Sequence, residues 1–300
     1  MTTPAEPPTV RTTCAIVGGG PAGLVLGLLL ARAGVAVTVL EKHADFLRDF
    51  RGDTVHPTTL ALLDDLGLVD RFEAIPHSRV THVDLPDPEV TGVTWEKGRV
   101  AIGIPRDGYI QVAQLGPKGA DDAVRARGLD AFRADAAQLF PEAAAGVTGI
   151  GSTADVKHLD VRLDRLRRWH APGVLCIGDA AHAMSPVGGV GINLAVQDAV
   201  AAARILAPLL RSGGASGRAE ARALARIQRR RMVPTVVIQG MQRILHAALI
   251  MPTIRGRDLR PPSWVVKVVR RVPWLSALPA LAVGVGPRPE RAPRWARRPS

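Results

Sequence analysis

The chain has 300 residues, enough to bury a sizeable core in one large domain or two smaller ones. It is 47% hydrophobic and 22% charged, as ordinary globular proteins are. Its net charge of +12 gathers as arginine in the last third, aromatics make up only 4%, and no nucleic-acid-binding motif accompanies them, so no nucleic-acid partner is expected.

The opening MTTPAEPPTVRTT has no basic stretch followed by an apolar run and does not read as a signal peptide. No apolar run reaches the ~18 residues of a membrane helix, so membrane association is not expected. The nearest, WLSALPALAVGVG, is short and contains a proline. Cys14 and Cys176 sit in separate apolar runs without a Cys-x-x-Cys spacing. Neither a metal site nor a disulfide framework is expected, and a reducing, cytoplasmic compartment fits.

TTCAIVGGGPAGLVLGLLLARAGVAVTVLEKH reads as a βαβ unit. Cys14 to Val17 is a continuous apolar run, the pattern of a central parallel strand. Gly18, Gly20 and Gly23 give G-x-G-x-x-G: a tight turn, close backbone approach to a pyrophosphate, and close packing of helix on strand. A helix from Pro21 to Ala33 points its free N–H groups at the phosphates, and Gly34 ends it. Glu41 closes the second strand, where an acidic side chain accepts hydrogen bonds from an adenosine ribose. Strand, glycines, helix, strand and acid together indicate a dinucleotide, without distinguishing FAD from NAD.

SRVTHVDL, TGVTWEKGRVAIGI and YIQVAQL show strand alternation with short turns, an antiparallel sheet. GADDAVRARGLDAFRADAAQLFP has helical periodicity, with Leu129, Phe132, Ala136 and Leu139 on one face.

A second glycine-rich turn lies in LCIGDAAHAMSPVGGVGINLAVQDAV. Val174 to Ile177 reads as a buried strand with Gly178 and Asp179 at its carboxyl end, where open α/β sheets place ligands. The loop PVGGVG leaves room for a flat ring, and Ile192 and Asn193 begin a helix running to about Leu210. Its N-terminus would stabilise negative charge at the N1/C2=O edge of a reduced flavin. Two turns at opposite ends of one long ligand suit FAD, whereas an NAD enzyme has no use for the second. His182 reads as a loop histidine bonded to backbone.

GGASG is a flexible break, followed by a basic amphipathic helix from Arg218 to about His246. Two short helices and a disordered tail, PRPERAPRWARRPS, are expected after it.

With these residues in hand, the chain resembles the FAD-dependent aromatic hydroxylases, the single-component flavin monooxygenases of the para-hydroxybenzoate hydroxylase type. DFLRDFRGDTVHPTTLALLDDLGL and GDAAHAMSPVGGVGINLAVQDA carry the resemblance most closely. It implies a glutathione-reductase-like, Rossmann-like doubly wound α/β sheet with an antiparallel substrate sheet and C-terminal helices. By the same resemblance Gly18, Gly20, Pro21, Ala22, Gly23, Glu41, Lys42, Arg51, Gly178, Asp179, Pro186, Gly189, Gly191, Ile192 and Asn193 bind FAD. Asp179 meets the ribityl chain, and the backbone of Ile192 and Asn193 meets the pyrimidine edge. Pro186 lies beside the ring near substrate. Tyr109, the sole tyrosine, stands on the substrate sheet.

The family's third motif, an Asp-Gly-rich strand and turn between these two, has no counterpart. Asp107-Gly108 opens a strand of the substrate sheet instead. Only 155 residues separate Gly23 from Gly178, shorter than the family spacing, and an internal deletion is read near residues 83–95. The expected organisation is a discontinuous FAD domain over 1–82 and 146–212, a reduced substrate region over 83–145, and a C-terminal helical region over 213–300. The implied activity is hydroxylation of an aromatic or polyketide-like small molecule with FAD, O2 and NADH or NADPH. The alternatives are a non-catalytic FAD-binding remnant, or another FAD oxidoreductase of the fold such as an isoprenoid reductase or a halogenase.

Overall fold

The computed structural model describes residues 9–44, 54–77, 93–96, 99–106, 109–213, 217–256, 271, 281 and 284–298. Arg51, Asp107, Gly108 and the expected strand at 78–85 lie outside them. One compact unit gathers Met1–Val69, Arg162–Gln239 and Ala280–Ser300, and a second gathers Asp70–Val161 and Gly240–Pro279. The C-terminal region therefore divides between the two units rather than forming a third.

In the first unit, β1 (Cys14–Val17) pairs in parallel with β2 (Val37–Leu40), Val17 opposite Leu40. The helix between them, α1 (Pro21–Arg32), starts on Gly20 with Pro21 in its first turn, a position where the missing N–H has no partner to lose. Gly34, with φ +76°, ends it. Leu26, Leu29, Leu30 and Ala33 of this segment are buried together with Ile16. They pack with α6 (Val190–Arg211), whose Ala199, Ala202, Ala203 and Ala207 are small enough to let the two helices approach closely. Among the described residues β1 and β2 form a two-stranded parallel sheet. Val17 is 86% exposed and Leu40 53%, so the sheet face turned away from α1 carries uncovered apolar side chains.

The second glycine turn follows β6 (His170–Ala171) and β7 (Val174–Leu175), a short antiparallel hairpin. The expected buried strand over 174–177 is thus corrected: Val174 is exposed and the pairing partner is the local hairpin, which apolar content alone cannot distinguish from a sheet strand. α6 begins two residues before the expected Ile192. α2 (Pro57–Asp65) and α3 (Val69–Glu73) follow the first βαβ unit, and α7 (Arg218–Leu245) follows α6.

The tail, expected to be disordered, is ordered through 284–298. Ala292 and Ala296 are buried in the same core as α1 and α6. Arg32 Nη1 donates to the Ala296 carbonyl (2.9 Å), and Arg298 N–H donates to the Asp65 carbonyl (2.9 Å). Its proline and arginine content concealed alanines that plug a helical groove.

The second unit holds β3 (Val93–Glu96), β4 (Arg99–Arg106) and β5 (Tyr109–Leu115) in one antiparallel sheet. The single helix expected over 119–141 is two, α4 (Asp121–Ala126) and α5 (Leu129–Leu139), parted at Gly128 with φ +85°. Phe140 lies against Gly103, where an added Cβ would come within 2.7 Å of the ring. The C-terminal end of α7 runs on through a π-helical turn, His246–Ile250, into α8 (Met251–Ile254).

Two helical stretches, Val190–Arg211 and Arg218–Ile254, are long and apolar enough by composition to cross a membrane, contrary to expectation. A search for unbroken apolar runs passes over them because isolated charges interrupt both. The first is mostly buried, the mark of a core helix.

Candidate functional site

The first turn is built around Gly18 to Gly23. A Cβ on Gly23 would stand 1.9 Å from the Gly18 carbonyl oxygen, so only glycine lets α1 start this close to the strand. At Gly20 the corresponding direction is open for 4 Å. That is the space a bound group needs to reach the backbone. Glu41 reaches back across the sheet: its Oε2 accepts from Gly19 N–H (2.7 Å) and its Oε1 from His43 N–H (3.0 Å). A carboxylate is therefore fixed at the rim of the turn. Lys42 is exposed beside it.

The second turn meets the first directly. Gly178 has φ +59°, and a Cβ there would lie 3.1 Å from both Ala22 Cβ and Ala195 Cβ. The start of α1, the turn after β7 and the first part of α6 thus converge at three small residues. Asp179 next to this junction is exposed, and Pro186 is half-buried in the loop leading to α6. Gly189 caps α6 in the left-handed conformation, and Gly191 and Ile192 fall in its first turn, whose amides lack carbonyl partners within the helix.

Asn193 does more than expected. Its side chain is buried and fully bonded: Oδ1 accepts from His56 N–H (2.8 Å) and Thr59 Oγ1 (2.8 Å), while Nδ2 donates to the carbonyls of Thr54 (2.9 Å) and Gly189 (3.0 Å). It staples the start of α6 to the start of α2. A small cavity of about 20 Å³ opens here, lined by His56, Asn193, Leu194, Gln197, Pro234 and Ile238 among others.

Behind the second turn lies a buried ionic network that the sequence reading missed. Asp198 Oδ2 accepts from Gly178 N–H (3.1 Å) and from His182 Nε2 (2.6 Å), and its Oδ1 accepts from Arg231 Nε (2.8 Å). All three side chains are at most 1% exposed. His182 therefore bonds to a carboxylate through its ring, which corrects the backbone-bonded reading, and it also lies against Trp169, centroids 5.2 Å apart. The sequence signal for Asp198 is a lone acid inside the run LAVQDAVAAA. Such an acid is buried only when paired.

Tyr109 opens β5 in the second unit and is 63% exposed. Cys14 and Cys176 are both free thiols, and burial pushes the Cys14 thiol above its ordinary value. Among the described residues no cluster of His, Cys, Asp and Glu could hold a metal ion.

These features fit FAD. Two glycine turns share one junction, the backbone is open at Gly20, a carboxylate stands at the rim of the first turn, and a helix start faces the second turn. The family described as FAD binding domain matches residues 11–91 and 77–234, and the chain belongs to that family. The two matched pieces overlap at 77–91. 6-Methylpretetramide 4-monooxygenase of Streptomyces rimosus is 26% identical over 404 aligned positions, covering 95% of this chain and 96% of the relative. As 95% of 300 residues is 285, about 119 of those positions have no residue in this chain. A shorter match, 34% over 76 residues, covers 24% of this chain and 19% of p-hydroxybenzoate hydroxylase of Acinetobacter baylyi. Among solved structures, Pseudomonas aeruginosa PqsL in complex with 2-aminobenzoylacetate superposes with a TM-score of 0.60 at 18% identity, over 82% of this chain and 98% of that one. The flavin-dependent halogenase CmlS does so at 0.51 and 19%, over 95% and 74%. Both show the same fold.

Proposed function

We propose that the chain is an FAD-dependent monooxygenase that hydroxylates an aromatic or polyketide-like small molecule with NAD(P)H and O2. The observation that carries this reading is the junction of the two glycine turns at Ala22, Gly178 and Ala195, because one long ligand is the economical reason to bring them together. The S. rimosus relative, named for a monooxygenase reaction and matched over nearly its whole length, supports the reaction class.

Bound FAD supplies hydride acceptance and oxygen activation. The chain's own residues supply position and field. The backbone from Gly18 to Gly23 and the α1 N-terminus hold the pyrophosphate. Glu41 takes the adenosine ribose hydroxyls with Lys42 beside it, and Arg51, outside the described residues, is the family-like arginine for the cofactor. Asp179 accepts from the ribityl hydroxyls. The first-turn amides of α6 at Gly191, Ile192 and Asn193 donate toward the pyrimidine edge, where the helix dipole favours negative charge. Pro186 and Gly189 flank the ring and keep water from it. Tyr109 is the candidate phenol contact on the substrate sheet. The free cysteines suit a reducing, cytoplasmic compartment.

A non-catalytic FAD-binding remnant is the second reading. The missing alignment positions and the uncovered Val17 and Leu40 favour it. The absorbance spectrum of purified protein, with the flavin released and identified, decides between them first. Stoichiometric FAD together with NAD(P)H-dependent oxygen uptake and hydroxylated product supports the enzyme. Colourless protein that takes up no added FAD overturns both readings. FAD retained without reduction by NAD(P)H leaves the remnant.

A further inference from the structure

The middle of α7 puts polar side chains inward and apolar ones outward. Arg231, Thr235 and Gln239 are fully buried beside Ile238. Each is held by hydrogen bonds: Arg231 Nε to Asp198, Thr235 Oγ1 to the Arg231 carbonyl (2.8 Å), and Gln239 Nε2 to the carbonyls of Asp164 (2.6 Å) and Ala183 (3.0 Å). On the outer side Val233, Val236 and Val237 are 48%, 41% and 48% exposed. A helix that faces water shows the opposite pattern. Of the two membrane-length stretches, Arg218–Ile254 is also the one left open, with only 35% of its most apolar part buried.

The same side carries positive charge. Arg222, Arg226, Arg229, Val233 and Val236 follow at spacings of four, three, four and three residues, which places them on one face of the helix. The three arginines are exposed. Arg226 and Arg229, together with Arg230 and Arg288, line a recess of about 210 Å³. Arg230 is neutralised by the buried Glu290, to which its Nε and Nη2 donate at 2.5 and 3.0 Å. The guanidinium groups of Arg226, Arg229 and Arg288 have no acidic partner among the described residues. Arg288 is also the only non-glycine residue with positive φ among those described, at +59°. Strain of this kind persists where the surroundings over-determine it, and it gathers at ligand sites.

We infer that this face of α7 docks on an anionic lipid bilayer, with the valines entering the edge of the acyl layer and the arginines binding headgroup phosphates. The helix lies on the surface rather than crossing it, because Leu224 and Ile227 on its other side are committed to the core that holds α1 and α6. The planar guanidinium fork matches phosphate oxygens bidentately, and a recess lined by arginines leaves several forks free for them. The net charge of +12 adds attraction toward a negative surface such as the cytoplasmic leaflet. A protein partner fits less well. Protein interfaces rest on aromatic anchors, and α7 contains no aromatic residue. A bilayer asks only for apolar area beside cationic charge. The inference stands whether or not FAD is bound.

The test is co-sedimentation of the full chain with vesicles of phosphatidylcholine alone and of phosphatidylcholine mixed with phosphatidylglycerol. The mixed vesicles are expected to bind the protein and the neutral ones to leave it in solution. R226Q/R229Q should weaken that binding about 25-fold. R11Q/R294Q, which removes the same charge from outside α7, should weaken it far less. Raised salt should leave the parent partly bound, whereas V233Q/V237Q should be released completely, because only the apolar contact resists screening. Circular dichroism and thermal unfolding of all three variants should match the parent, since every substituted side chain is exposed. Equal binding to both kinds of vesicle, or to neither, overturns the inference. So does equal loss in R226Q/R229Q and R11Q/R294Q, which marks adsorption by net charge, or salt-resistant binding that V233Q/V237Q retains. A protein that ignores vesicles but self-associates in solution, and loses that association in V233Q/V237Q, overturns it and gives the face to a second copy of the chain.

Discussion

Asp198 holds Gly178 through a buried hydrogen bond from Gly178 N–H to Oδ2, 3.1 Å long. The same carboxylate binds His182 and Arg231, so the second flavin turn is anchored from behind by an ion pair shared between α6 and α7. Removing the carboxylate leaves Arg231 buried without its counter-ion. Asp198→Asn is expected to lower stability by about 3–5 kcal/mol in urea unfolding. FAD affinity should fall with it. The double variant Asp198→Leu/Arg231→Met should recover much of the stability, because no lone charge remains. FAD affinity should stay low, since Gly178 has still lost its anchor.

At the first turn, Glu41→Gln keeps the size of the side chain and removes its charge. FAD dissociation should become about tenfold easier, measured by flavin fluorescence. Gly23→Ala is harsher, since its Cβ would meet the Gly18 carbonyl at 1.9 Å. Forcing the strand and helix apart should cost about 1–3 kcal/mol and abolish FAD retention.

Asn193→Ala leaves the amides and carbonyls at positions 54, 56 and 189 without their buried partner. A stability loss of at least about 2 kcal/mol is expected. Asn193→Asp should not rescue it, because a carboxylate accepts from His56 and Thr59 but cannot donate to the two carbonyls.

The bare sheet face is testable separately. Val17 and Leu40 are paired neighbours, and both are exposed. Val17→Thr/Leu40→Thr should lower dye binding to apolar surface and slow concentration-dependent association. FAD binding should be unchanged, because the glycine turn uses the backbone.

Burial lowers the pKa of His246 in the π-helical turn. The folded state therefore binds its proton less readily than the unfolded state, whose value is near 6.5. Stability is complete above that pH and declines as pH falls through it toward the folded-state value. His246→Gln should flatten the decline in thermal unfolding between neutral and mildly acidic pH.

What the sequence displayed was local. β1, α1 and β2 are legible because the glycines, Pro21, Gly34 and Glu41 act within one βαβ unit. β5 is legible because alternation over YIQVAQL has a single reading. What escaped depends on residues far apart in the chain. Asn193 bonds to residues 54–59, Asp198 bonds to Arg231, and Arg32 bonds to the Ala296 carbonyl. No spacing rule exposes such pairs. Val174 misled because an apolar pair at a hairpin reads like a sheet strand. The tail misled because composition hid the two alanines that seat it.

The contact between Ala22, Gly178 and Ala195 separates the size of the ligand from the length of the polypeptide between the turns. The two anchorages are positioned by α1 lying on α6, and neither helix belongs to the stretch from 70 to 161 that links them. Halving a flexible connection changes its closure entropy by only about 0.6 kcal/mol. A change of length there leaves the spacing of the two cofactor anchorages in register.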